Sequence, residues 1–242
     1  MRPPYLLITD VDDTVLGDDP ALERFTKFFD AVRDRLGIVY ASGRFARSVE
    51  VSIRAHRMPE PLAVIGGVGT ELLRYPTFDA INDWPARIAR AWDADVVRQI
   101  FARERDLEPQ PPECQSDYKV SYFLRDASDA RLEDLRERLR AAGLETALIY
   151  SSARDLDVLP AGVDKGAAAA FLASEWSYAP EHVCVSGNSG NDAALFEHGF
   201  RGIVVANAHE ELKAVARDHR AFIAPAPFAD GVREGLRHWL EI

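Results

Sequence analysis

Short apolar runs without polar alternation recur along the chain, each followed by a polar or glycine-rich turn and then an amphipathic stretch. Tyr5–Thr9, Ile38–Ala41 and Leu62–Ile65 are the first three, and runs this short with no polar face read as strands buried on both sides of a sheet. Between the first two, Asp18-Asp19-Pro20 reads as the capped start of a helix reaching about Leu36. Phe25, Phe28, Phe29, Val32 and Leu36 share one face of it, and Gly37 stops it. Arg44–His56 reads as a second helix, so the pattern predicts a parallel, right-handed α/β sheet. The run Gly66-Gly67-Val68-Gly69-Thr70 after the third strand lacks both the GxGxxG order and a Walker lysine, and reads as a tight turn rather than a nucleotide site.

From about Thr77 the pattern changes. Trp84, Ile88, Trp92, Val96, Ile100 and Phe101 predict one long amphipathic helix ending before Pro109, where Pro109-Gln110-Pro111-Pro112 breaks the chain. Tyr118–Leu124 reads as a strand, Ser128-Asp129 as the cap of a charged helix through Ala142, Gly143 as its stop, and Thr146–Ser151 as a further strand. Together these predict a small α+β module with an antiparallel element over 78–157, inserted into a core formed by 1–77 and 158–242. In the core the pattern resumes with a helix over Lys165–Ser174 and a strand over Val183–Ser186. A helix over Asp192–Glu197, a strand over Gly202–Val205 and helices over Glu210–Arg217 and Val232–Leu240 follow.

Composition narrows the partners. With 29 Lys and Arg against 39 Asp and Glu the net charge is −10, which argues against nucleic acid or an anionic membrane surface. Substrate anions must therefore be held by local groups. No apolar run approaches the roughly 20 residues needed to span a bilayer, and no export signal precedes the first strand, so a cytoplasmic protein is expected. The cysteines, Cys114 and Cys184, have neither metal-ligand company nor catalytic spacing and read as spectators.

The chemistry concentrates after the strands. Asp10 and Asp12 follow the first at a spacing that aims two carboxylates into one small volume, where they repel unless a cation or a shared proton joins them; the plainer alternative is a solvated acidic loop with an Asx turn. Ser42-Gly43-Arg44 closes the second strand. Lys165 opens a helix, a poor place for a lysine unless an anion sits beside it. Gly187-Asn188-Ser189-Gly190-Asn191-Asp192 follows a later strand.

Nucleophilic Asp, hydroxyl, Lys and terminal acidic loop, in that order, resemble the four motifs of the haloacid dehalogenase superfamily. The stretches YKVSYFL, LIYSSARDLDVLP, SGNSGNDAALF and GVREGLRHWL are similar to the sucrose-phosphate phosphatase family over essentially the whole chain. The resemblance implies a Rossmannoid core with a parallel sheet and an inserted C2-type cap. It also implies a Mg²⁺-dependent phosphatase acting on a sugar monophosphate, sucrose 6-phosphate or a similar disaccharide phosphate such as mannosylfructose phosphate. Asp10 would be the nucleophile and Asp12 the general acid and base, its pKa raised by a crowded acidic pocket. Ser42, Gly43, Lys165 and Asn191 would bind phosphate. Oxygen donors without a His or Cys cluster suit Mg²⁺; by resemblance its ligands are Asp10, Asp12 through its backbone carbonyl, and the terminal loop. There the chain departs from the usual Gly-Asp-Ser-Gly-Asn-Asp, with Asn188 at the first acidic position, so Asn188 and Asp192 share the expected metal role.

Lys119 and Ser121 alternate onto one face of a strand and are expected to meet sugar hydroxyls, the alternative for Lys119 being a solvated edge-strand charge. Tyr150, Arg154 and Asp157 join them as cap candidates. Two other readings stand beside the phosphatase: a phosphosugar mutase, and an inactive phosphosugar-binding partner of a glycosyltransferase, motivated by Asn188. A monomer is expected, with a sugar-phosphate synthase as a candidate partner.

Overall fold

The structure, a computed structural model, describes residues 2–88 and 92–240. In chain order its elements are β1 (Tyr5–Thr9), α1 (Asp19–Val32), β2 (Leu36–Ala41), α2 (Ala46–Ala55), β3 (Ala63–Gly66) and β4 (Glu71–Arg74). Next come α3 (Trp84–Ile88), α4 (Ala94–Phe101), β5 (Glu108–Pro109), β6 (Val120–Phe123), α5 (Asp129–Ala141), β7 (Thr146–Ser151) and β8 (Asp155–Pro160). The chain closes with α6 (Lys165–Glu175), β9 (Val183–Gly187), β10 (Arg201–Val204), α7 (Glu210–Asp218), β11 (Phe222–Ile223) and α8 (Phe228–Leu240). A 3₁₀ segment, Gly190–His198, lies between β9 and β10.

Two sheets result. The larger has seven strands in the order β11-β10-β9-β1-β2-β3-β4, parallel except for β4. Leu6, Leu7 and Ile8 of its middle strand β1 are fully buried on both faces, which explains an apolar run without alternation. This is a doubly covered α/β core of the kind the sequence resemblance implies. The smaller sheet has four antiparallel strands in the order β5-β6-β8-β7. Its own core gathers Val97 and Phe101 of α4, Leu132, Leu135 and Leu139 of α5, Val120 and Tyr122 of β6, and Leu156 and Val158 of β8.

Several boundaries differ from the sequence expectation, each for a packing reason. Leu36 and Gly37 belong to β2 rather than to the end of α1. Gly37 is there because Leu62 crowds the strand: a Cβ on residue 37 would come within 2.7 Å of Leu62 Cδ1. The single long helix expected from Trp84 to Phe101 is instead two helices, α3 and α4, and Asp93 caps the second by accepting from the amides of Asp95 and Val96; positions 89–91 lie outside the described residues. The short β4, β5 and β11 carry too few residues to show a period. In β8, Leu156 and Val158 alternate with Asp155 and Asp157, so the smaller sheet continues through the expected boundary at 157 and ends at Pro160. The expected helix Asp192–Glu197 is the 3₁₀ segment, ended by Gly199 at φ 74°.

Two glycines bring the core's chemistry-bearing elements together. At Gly69, with φ +105°, an added Cβ would fall 2.2 Å from Asp164 O, so the glycine-rich turn after β3 is where the N-cap of α6 seats. At Gly166, on the first turn of α6, a Cβ would fall 2.2 Å from Ala194 O and 2.4 Å from Ala194 C. Backbone atoms cannot swing aside. The Gly166→Ala protein gains about 1 kcal/mol of helix propensity but is expected to lose more through overpacking, for a net destabilisation of about 1–2 kcal/mol. A lower denaturant midpoint at unchanged slope checks this; an unchanged or higher midpoint contradicts it.

Candidate active site

The carboxyl ends of three adjacent strands, β9, β1 and β2, point into one cleft, the place where open α/β sheets keep their ligands. Asp10 leaves β1, Ser42-Gly43-Arg44 leaves β2, and Asn188 leaves β9; Lys165 reaches them from the first turn of α6. The Lys165 side chain is fully buried, and its ammonium donates to Asp10 Oδ1 at 2.7 Å, Asp192 Oδ1 at 2.7 Å and Asn191 Oδ1 at 2.8 Å. All three of its protons are used. The anion that a lysine at a helix N-terminus calls for is thus supplied by two carboxylates.

Asp10 is buried, and burial together with the nearby negative charge of Asp192 raises its pKa to about 7, while Lys165 pulls the other way. Burial by itself would lower Lys165, but Asp10 and Asp192 outweigh it and hold the ammonium above its ordinary range. Thr14 donates to Asp10 Oδ2 at 2.9 Å and lies 3.3 Å from Asn188 Oδ1. The hydroxyl that closes the first acidic turn therefore ties it to the terminal loop. Ser42, buried beneath the cleft floor, accepts from the Arg44 amide at 3.1 Å, and an added Cβ on Gly43 would lie 3.5 Å from Asn191 Nδ2.

Two expectations are corrected here. Asp192 is not placed to ligate a cation directly: Oδ1 faces Lys165, and Oδ2 accepts from the amides of Asn188 at 2.9 Å and Ser189 at 3.1 Å. It organises the loop and balances Lys165. The crowded acidic pocket expected around Asp12 surrounds Asp10 instead. The Asp12 side chain stands 54% exposed at the cleft mouth and is paired through Oδ2 with Arg44 Nε at 2.8 Å. Arg44 closes the second motif, and its role was not legible there.

A divalent cation fits the remaining donors. Asp10 and Asn188 offer side-chain oxygens that share the Thr14 hydroxyl, and by resemblance Asp12, which lines the cleft beside them, would add its backbone carbonyl; a hard-oxygen set of this kind suits Mg²⁺. No group of three His, Cys, Asp or Glu side chains suited to a metal occurs among the described residues, so most of the set must be neutral oxygens.

The cleft, of about 520 Å³, runs between the two sheets, within the ordinary range for small-molecule sites. Asp10, Asp12, Gly43, Asn188 and Asn191 line the core side; Lys119, Arg154 and Asp157 line the other. Lys119 is buried rather than solvated: it donates to Asp157 Oδ1 at 2.8 Å, Ser121 Oγ at 2.7 Å and Cys114 O at 3.2 Å. Ser121 is fully buried behind it and donates to Asp157 Oδ1 at 2.6 Å, so it braces the ion pair rather than facing the cleft. Tyr150 is elsewhere, its hydroxyl donating to Leu124 O and accepting from Ala127 N, both at 2.9 Å. Phe45, Gln110, Cys114, Asp155 and His209 also line the cleft. Cys114 was read as a spectator, yet its carbonyl anchors Lys119; no sequence motif marks these loop positions.

Comparison with known proteins decides the family. Residues 3–240 match the family model described as sucrose-6F-phosphate phosphohydrolase. The chain belongs to this family. The mannosylfructose-phosphate phosphatase of Agrobacterium fabrum is 38% identical, with 99% of this chain and 98% of that one aligned. A Nicotiana tabacum sucrose-phosphatase is 30% identical over 97% of this chain, which spans only 59% of the length of the plant protein. Among solved structures, the sucrose-phosphatase of Synechocystis in complex with sucrose and phosphate superposes with a TM-score of 0.92 at 30% identity, covering 98% of both chains. The fold is shared more widely: a haloacid dehalogenase subclass IIB sugar phosphatase reaches a TM-score of 0.69 at 16% identity. The family is one of sugar phosphatases. No helix among the described residues is long and apolar enough to cross a membrane.

Removing the ammonium at the centre of the site leaves Asp10 and Asp192 buried with hydrogen-bond donors but no balancing positive charge. Lys165→Met is expected to cost about 3–5 kcal/mol, measurable by denaturant unfolding, and a loss below about 1 kcal/mol would show that the carboxylates find other compensation.

Proposed function

We propose that this phosphatase hydrolyses the phosphate monoester of a fructose-containing disaccharide, sucrose 6-phosphate or mannosylfructose phosphate, through a covalent aspartyl-phosphate. The observation that carries the reading is one cleft with a buried Asp10–Lys165–Asp192 cluster on its core side and a buried Lys119–Asp157 pair on the other. The first suits a phosphoryl group; the second offers fixed polar contacts to the sugar. In this reading the four-stranded module, from about 78 through the end of β8, is the cap that selects the sugar.

The chain's own groups account for each step. Asp10 attacks phosphorus, and the bond from phosphorus to the sugar oxygen breaks while Asp12, at the cleft mouth, protonates that oxygen. Asp12 then accepts a proton from a water that attacks the same phosphorus, breaking its bond to Asp10 and releasing inorganic phosphate. Lys165 balances the charge on Asp10 from behind it, and Gly43 N–H and Asn191 in the cleft wall face the phosphoryl oxygens, with Ser42 beneath them. Asp10, Asn188 and the Asp12 carbonyl would hold Mg²⁺, which would supply positive charge against the phosphoryl group. The protein is read as a cytoplasmic monomer that takes its substrate from a sugar-phosphate synthase.

Phosphate release from disaccharide and monosaccharide phosphates, with Mg²⁺ and with chelator, tests the reading. Robust hydrolysis of a fructosyl disaccharide phosphate is expected, and preference for a monosaccharide phosphate overturns it. Label from ¹⁸O-water should appear in the released phosphate; transfer to a second sugar hydroxyl would make the protein a mutase. Turnover itself excludes an inactive binding partner. Asp10→Asn should retain the fold and lose all but about 1% of turnover, because an amide is no nucleophile.

Asn188→Asp probes the site's charge. The new carboxylate would be buried near Asp10 and Asp192, so the metal-free protein should melt lower. The Mg²⁺-induced rise in melting temperature should grow, and half-saturating Mg²⁺ should fall about tenfold. Equal Mg²⁺ dependence in both proteins would show that residue 188 does not face the cation.

A further inference from the structure

One carboxylate oxygen outside the cleft, Glu211 Oε1, accepts from two backbone amides that belong to different sheets. Ser152 N, in the turn between β7 and β8 of the smaller module, lies at 3.1 Å, and Gly190 N, in the loop after β9 of the core, lies at 2.8 Å. Glu211 sits on the first turn of α7, where an acidic residue is favourable for the helix alone, but its side chain reaches out to bond segments of two other elements. The same loop is held a second time by α7, through His209 N donating to Asn188 O at 2.8 Å.

A second observation shows how closely the two segments meet. A Cβ on Gly190 would fall 2.8 Å from Tyr150 O and 3.0 Å from Glu211 Oε1, so the hairpin carbonyl rests against the bare Cα of the core loop. Ser152 and Ala153 both have positive φ, 55° and 50°, the turn geometry of tight hairpins, and that turn carries the Ser152 N–H. Both segments also line the cleft: Ser151, Ser152, Arg154 and Asp155 from the hairpin, Asn188, Ser189 and Asn191 from the loop.

We propose that Glu211 is a positioning residue that registers the sugar-side hairpin on the phosphate-side loop, so that sugar contacts and phosphoryl chemistry share one geometry. Its effect falls on substrates that need both sides of the cleft. This rests on the reading that the smaller module selects the sugar. A small ester such as p-nitrophenyl phosphate needs the core side alone.

Glu211→Ala, Glu211→Gln and the wild type are compared on a fructosyl disaccharide phosphate and on p-nitrophenyl phosphate. The ratio of the two kcat/KM values should fall about tenfold in the Ala protein, mainly through a higher KM for the disaccharide phosphate. Amide hydrogen exchange at Ser152 and Gly190 should quicken by about tenfold or more. The Gln side chain keeps an acceptor of the same reach and should restore both readouts to within about threefold of wild type. Unchanged exchange in the Ala protein, an equal loss on both substrates, or failure of Gln to restore would each overturn the assignment. If the wild type does not prefer disaccharide phosphates, the reading of the smaller module fails, while amide exchange still judges the tether.

Discussion

The burial of Lys165 is the constraint from which the active site follows. An ammonium with no exposure is costly unless each proton is accepted and its charge is balanced. Asp10, Asp192 and Asn191 meet that demand together. Because these partners come from β1 and from the loop after β9, the lysine can be satisfied only when α6, β1 and that loop are docked. The glycines at 69 and 166 are the geometric counterpart, since a side chain at either would push α6 away from its neighbours. Electrostatics and close approach select the same arrangement, and the cluster is preorganised before any phosphate arrives.

The smaller module repeats the device with different parts. Lys119 is buried against Asp157 and Ser121, with the Cys114 carbonyl completing its partners. Buried lysines thus stand on both sides of one cleft, Lys119 in its lining and Lys165 behind Asp10, in a chain whose net charge is −10. The global charge would repel a phosphorylated sugar, and the buried lysines lessen that repulsion at the cleft without reversing it, since each is balanced by carboxylates. A rim of exposed arginines could attract anions too, but would hold them loosely, because surface charges are screened and mobile.

What could be read from the chain tracks how local each signal is. The strands that become β1, β2, β3 and β9 were legible because burial on both faces leaves continuous apolar runs, and the turns after β1, β2 and β9 are the ones the structure gathers at one cleft. The position of Lys165 was informative because it offends the helix dipole. The partners of Asp12 and Asp192 were not legible: pairing with Arg44, or with Lys165 and two amides, depends on how strands separated by many residues are ordered. The smaller module was harder still. Tyr150 sits on a strand beside good candidates, yet its hydroxyl is spent inside the smaller core. Ser121 lies on the right face but one layer too deep. Period-two alternation tells faces apart; it says nothing of depth. Cys114, Gln110 and Phe45 reach the cleft from segments without regular periodicity.

Asn188 makes physical sense in this setting. The buried charges near the nucleophile are Asp10, Asp192 and Lys165, a surplus of one negative charge, and burial already raises Asp10. A carboxylate at 188 would raise the surplus to two in the metal-free protein. With an amide there, the side chain still presents an oxygen beside Thr14 while the cluster without a cation is less strained. An amide oxygen would also attract a divalent cation less strongly than a carboxylate would. On the proposed reading, stability of the metal-free protein and affinity for the cation would be set against each other by this single group, with the amide favouring the former.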